Sequence, residues 1–162
     1  MDILTTLFNI LLIAFGFTIL VFVHELGHFI TAKWARIRTE AFAIGMGPVV
    51  FAWRKGIGLT LGSSRRAVVA RTGKAPEALS DAELRDAGLG ETEYSFRALP
   101  IGGFVKMLGQ DDLNPASTSA NARSYNRAPV GRPMVVVSGG VIMNLILAAV
   151  PFIVAFMVRV AS

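Results

Sequence analysis

The sequence predicts a membrane protein, mainly α: two transmembrane helices with a cytoplasmic α+β segment between them that contains a β-hairpin. Three observations carry the prediction. Ile3 to Val23 and Met134 to Val158 are long runs without a charged residue. Fifteen of the sixteen Lys and Arg lie between residues 33 and 133. Within that basic segment, Glu93 to Leu99 alternates apolar with polar residues, the period of a strand. Composition agrees. Of 162 residues, 53% are hydrophobic and only 17% charged, where a soluble domain carries about a quarter. The absence of cysteine excludes a disulfide scaffold, a Cys-ligated zinc finger and a thiol nucleophile.

The first run has 21 residues, about 31 Å as a helix, which matches a bilayer core. A cleaved signal peptide would need a basic start, a shorter apolar stretch and a small-residue cleavage site. This chain starts Met1-Asp2 and runs on into His24-Glu25, so a retained span is expected, with the first unit at residues 1–32. The second run sits in a unit at 134–160. Gly139, Gly140 and Pro151 interrupt it, which a membrane helix tolerates, and the glycines offer a close-packing surface for another helix. Lys33, Arg36 and Arg38 flank the first span, and Arg123, Arg127 and Arg132 the second. The positive-inside rule then puts residues 33–133 in the cytoplasm and both termini on the opposite side. The net charge of +5 has this use, and no nucleic-acid partner is expected.

Inside the central segment, Glu40 to Trp53 is apolar and rich in glycine. Residues 54–92 are the most polar stretch and hold the basic cluster Arg65, Arg66, Arg71 and Lys74, a surface for solvent or lipid headgroups. Ser80-Asp81-Ala82-Glu83 is a capping box, with Gly88 as the stop of a short helix. Pro100-Ile101-Gly102-Gly103 breaks the alternation that begins at Glu93, and an apolar run resumes to Leu108, so a hairpin is expected over about 93–108. Asp111 to Arg127 reads as a polar surface linker.

The chemistry concentrates in His24-Glu25-Leu26-Gly27-His28. On a helix, residues i and i+4 lie about 40° apart, so both imidazoles face one point, a spacing suited to zinc. Glu25 lies about 60° from His28, placed to take a proton from water acidified by the metal rather than to ligate it. Amide hydrolysis is the natural reaction class. These are the only histidines in the chain, and they sit at the end of an apolar span, where ionisable groups are costly. A plain polar cap at headgroup level is the competing explanation. A catalytic zinc takes three protein ligands. Glu40, Glu91, Glu93, Asp111 and Asp112 are the remaining acidic candidates, none in a helical frame with the pair.

With these residues in view the chain resembles the site-2 protease family, close to the bacterial regulator-of-sigma-E protease group. The likeness rests on Phe22 to Phe29 around the histidines, Phe42 to Pro48, Glu93 to Met107, and Gly139 to Asn144, in that order. Residues from about 57 to 90 read as a variable insertion. The resemblance implies an intramembrane zinc protease of the bacterial inner membrane, cutting single-pass transmembrane proteins in regulated intramembrane proteolysis. It implies that His24 and His28 ligate Zn2+ and that Glu25 is the general base. The hairpin becomes a membrane-associated one that holds substrate as an extended strand, with Gly102, Gly103 and Phe104 against it and Asn144 contacting it from the second span. Membrane lipid is an implied partner. In the family the third ligand is an Asp of a later span, within a Leu-Asp-Gly motif, so the chain reads as the N-terminal portion of a longer enzyme with an incomplete metal site, inactive alone. Two alternatives stand beside this: a membrane zinc protease of the prenyl-protein-processing type, with Glu40 or Glu93 as third ligand, and a non-catalytic membrane adaptor.

Overall fold

The computed structural model describes residues 2–110 and 121–161. Two long helices, α1 (Ile3–Trp34) and α4 (Gly131–Ala161), pack against each other, and α1 packs against a small antiparallel sheet. Both are long and apolar enough to cross a membrane. α1 continues without a break through His24 and His28 to Trp34. α4 runs through Pro151.

The sheet is built from β1 (Thr39–Arg54), β2 (Gly58–Leu61) and β3 (Glu93–Met107), in the order β2-β1-β3. β1 bends at Gly45 and Gly47, both at positive φ that side chains resist, and β3 bends at Gly102, also at positive φ. The bends interleave the two strands. Ile44 pairs with Gly103 on one side and with Phe96 on the other, and Phe51 to Arg54 pair with Phe96 to Glu93. The first half of β1 therefore lies between the two halves of β3. The segment expected as a hairpin over about 93–108 is a strand that opens to admit β1, because each half gains a full ladder of backbone partners that way.

Two faces of this sheet differ in chemistry. One carries aromatics continuous with α1: Phe22 and Phe29 meet Phe42, Phe29 meets Tyr94, and Phe51 stacks on Phe96 at 5.3 Å. Met46, Phe51, Trp53, Leu99 and Ile101 remain exposed. The other face is polar and covered. Between β2 and β3 the chain forms α2 (Arg65–Thr72), a 3-10 turn (Pro76–Ala78) and α3 (Asp81–Asp86), which close a small core of Val68, Leu79, Leu84 and Leu89. Ser80 caps α3: Ser80 Oγ accepts from the Glu83 amide at 3.2 Å, and the Ser80 amide donates to the Glu83 carboxylate at 2.7 Å.

This module is locked to the sheet by buried charges that hydrogen-bond across to it, as burial demands, although Arg38 Nε has no partner among the described residues. Arg38, 1% exposed, donates to the carbonyls of Leu79 and Pro76 at 2.6 and 2.8 Å. Arg54 donates to Ser64 Oγ and to the carbonyls of Gly90 and Glu91. Glu93 accepts from the Ser64 amide at 2.7 Å and from the hydroxyls of Ser63 and Ser64. Glu91 ties the module to α1 through Lys33 and, at 2.7 Å, to the segment before α4 through Arg123. Burial alone would raise the Glu91 carboxyl, but its hydrogen bonds from Arg123 and Lys33 outweigh burial and hold it below the ordinary carboxylate range.

Candidate metal centre

The centre begins with how closely α1 and α4 approach. Gly27 of α1 faces Gly139 of α4 so tightly that a Cβ on Gly27 would collide with the Gly139 backbone and stand 2.8 Å from Met143 Cγ. A Cβ on Gly140 would stand 2.6 Å from His28 Nε2 and 2.7 Å from His24 Cε1. The two imidazoles thus rest on the bare backbone of Gly140. The close-packing role read for these glycines is present, and Gly140 adds a second role as the seat of the rings.

On that seat the ring nitrogens converge: His24 Nε2 and His28 Nε2 lie 3.0 Å apart, with the rings edge to face. The outer nitrogens are held by α4. His28 Nδ1 lies 2.7 Å from the Val136 carbonyl, and His24 Nδ1 lies 3.1 Å from Asn144 Nδ2. Val136 is a backbone partner and leaves no mark in the sequence, so sequence reasoning missed it. For Asn144 the sequence leaves open both a substrate contact and an interhelical hydrogen bond, and here its amide stands on His24.

Glu25 and His28 line a cavity of about 240 Å3 with Phe104, Val105, Met107, Gln110, Tyr125, Val136 and Val137. Glu25 interacts with the Val105 backbone. Gly103 lies beside it: a Cβ there would come within 3.6 Å of Glu25 Cγ and 2.7 Å of the Ala43 carbonyl. Phe104 is braced by the Arg97 guanidinium, 4.8 Å from its ring centroid. Gly102 stands apart, in the bend of β3 against Met46. The bend reaches far along α1, where Thr18 donates to the Pro100 carbonyl. Of the residues singled out from the sequence, His24, His28, Glu25, Gly103, Phe104 and Asn144 are thus brought together, and Gly102 is not.

Two tetrahedral zinc ligands with bonds near 2.05 Å would place their nitrogens about 3.3 Å apart, close to the separation found, so the pair fits two corners of a zinc site. Among the described residues no group of three or more His, Cys, Asp or Glu could hold a metal ion. The acidic candidates are engaged elsewhere. Glu40 pairs with Lys106 at 3.1 Å, Glu91 with Lys33 and Arg123, and Glu93 with Ser63 and Ser64. Asp111 and Asp112 lie outside the described residues.

Comparison with known proteins agrees with this geometry. The model of peptidase family M50 matches residues 12–59 and 81–160, leaving out part of the polar stretch read as an insertion. A protein of Clostridium acetobutylicum provisionally named a zinc metalloprotease is 40% identical over 145 residues, 90% of this chain and 31% of its own length. One of Clostridium perfringens, named likewise, is 38% identical over 138 residues, 85% of this chain and 30% of its own. A third, from Rhizobium meliloti, is 28% identical over 151 residues. With its paired imidazoles, its adjacent carboxylate and this match, the chain belongs to peptidase family M50, the site-2 proteases. It spans about a third of the length of the curated relatives it matches.

Proposed function

We propose that the chain carries the catalytic half-site of an intramembrane zinc endopeptidase that cuts single-pass membrane proteins, in the manner of regulated intramembrane proteolysis. The observation that carries this reading is the convergence of His24 and His28 Nε2 on one point, 3.0 Å apart, beside a cavity that Glu25 also lines. His24 and His28 are the zinc ligands, and a third ligand comes from outside the described residues. Bound zinc supplies a Lewis acid that acidifies water and polarises a carbonyl. Glu25 accepts the water proton at its carboxylate and passes it to the departing amine.

A helical peptide bond is shielded by its own hydrogen bonds, so substrate must be held extended. Residues 103–107 of β3 suit that task by strand addition: main-chain bonds supply affinity, and the adjoining cavity receives one side chain. Gly103 and Phe104 are the substrate-contacting positions nearest Glu25, with Gly102 and Asn144 at the margins. The Thr18 bond to Pro100 supports a sheet tip lying at membrane depth, because Thr18 is six residues, about 9 Å of helix, before His24. In this reading residues 33–133 face the cytoplasm of a bacterial inner membrane, both termini lie on the other side, and lipid covers the aromatic face of the sheet.

Glu25→Gln tests the chemistry. In the full-length protein, cleavage of a membrane-anchored reporter is expected to fall by at least about a hundredfold, the range for loss of a general base, while zinc uptake is unchanged. Reporter processing at wild-type level in the variant would instead favour a non-catalytic adaptor.

A further inference from the structure

We propose that Asn144 is a positioning residue that sets the tautomer of His24, its amide NH2 holding the metal-free form and its carbonyl oxygen the form able to ligate a cation. Only the second half of this rests on the zinc reading above. The Val136 carbonyl can only accept, so its 2.7 Å contact puts the proton of a neutral His28 on Nδ1 and leaves a lone pair on Nε2. His24 Nε2 lies 3.0 Å from that lone pair. Two lone pairs do not settle at hydrogen-bond distance. Without a cation between them, His24 therefore carries its proton on Nε2 and donates it to His28. His24 Nδ1 is then an acceptor, and Asn144 Nδ2 at 3.1 Å is its donor. Asn144, His24, His28 and the Val136 carbonyl form one relay in which every donor has an acceptor.

A cation between the two Nε2 atoms requires the opposite at His24: a lone pair on Nε2 and the proton on Nδ1. A group able only to donate would then face an N–H. A carboxamide can meet both states, because rotating its terminal torsion by a half turn exchanges NH2 for oxygen. The Asn144 oxygen is free to make that exchange. It is buried and has no hydrogen-bond partner among the described residues, so no bond opposes the turn. The partner of a ligating imidazole's outer nitrogen commonly fixes its tautomer, and removing such a partner costs about 10- to 100-fold in metal affinity.

Because the chain has only two histidines, four ring nitrogens report the whole arrangement. The test is 15N-imidazole NMR on the detergent-solubilised chain, stripped of metal, at about pH 8.5. Wild type is expected to show the proton on Nε2 of His24 and on Nδ1 of His28. Asn144→Asp, which can only accept, should put a proton on His24 Nδ1 and leave His28 unchanged, the latter showing that the helix pair is intact. A His24 whose Nδ1 stays unprotonated in this variant, or that already carries Nδ1–H in metal-free wild type, overturns the proposal. In a zinc titration of the full-length protein that carries this chain, wild type should move to Nδ1–H on His24, and Asn144→Leu should bind about 10- to 100-fold more weakly. Equal affinities overturn the ligating half. A wild type that takes up no zinc while Asn144→Asp still puts a proton on His24 Nδ1 upholds the positioning role and makes the zinc reading the one that fails.

Discussion

At the scale of single residues, the site depends on a missing side chain as much as on those present. His24 and His28 converge because Gly140 has no Cβ to hold them off. Gly140→Ala should displace both rings and lower zinc affinity at least tenfold, measured by competition with a chromophoric chelator, while circular dichroism keeps its helical signal. Retained affinity would show that the rings have slack. The paired histidines and the glutamate were legible in the sequence because the i, i+4 spacing is a rule of helix geometry. The Val136 carbonyl was not, since every residue carries one and only the packing of α4 on α1 selects this one. The aspartates considered as ligands at 111 and 112 lie outside the described residues, and Glu40 and Glu93 are spent on ion pairing and hydroxyl contacts.

At the scale of elements, the two long helices were legible from their charge-free runs, and α3 from its capping box. β1 was not, because Gly45-Met46-Gly47-Pro48 interrupts its alternation at the bend that the interleaved sheet requires. α2 was hidden for another reason: Arg65 to Thr72 presents a single buried residue, Val68, so it has no apolar stripe to read. The α1–α4 contact is the element-scale weak point. Gly27→Ala forces a Cβ into the Gly139 backbone and should cost about 1–3 kcal/mol in thermal unfolding in detergent; no loss would mean that the helices can part without consequence. The α2–α3 module answers to pH. Hydrogen bonds from Lys74 and from Ser80 hold the Glu83 carboxyl down to about 2, below its ordinary value near 4.5. Its contribution is therefore present above the ordinary value and lost as pH falls towards 2. Burial opposes but does not prevent the same direction at Glu91. Amide exchange at Ser80 and Glu83 should quicken between about pH 5 and 2.5 relative to the middle of α1, and Glu83→Gln should remove most of that step. An unchanged step in the variant would assign it elsewhere.

At the scale of the whole molecule, the sheet has one aromatic and one polar face, and the basic residues gather between the two long helices. That arrangement suits a sheet lying against a bilayer with its aromatic face. Since the chain has no cysteine, single cysteines report topology without background. A membrane-impermeant maleimide should reach a cysteine at Asp2 from one side of the membrane and a cysteine at Arg71 only from the other. Labelling of both from the same side would contradict the expected orientation. The overall layout of spans and charges was legible from composition alone. The meeting of β3, α1 and α4 around Glu25 was not, because contacts between residues separated by 82 positions, as for Thr18 and Pro100, or by 108 and 120, as between α1 and α4, leave no local period.

Zinc uptake by the detergent-solubilised full-length protein that carries this chain, with the two histidines varied singly, tests the central claim most directly. Wild type and Glu25→Gln should bind zinc alike, and His24→Ala and His28→Ala should each abolish binding. No uptake by wild type, or uptake indifferent to either histidine, would contradict the assignment of this pair as a metal centre.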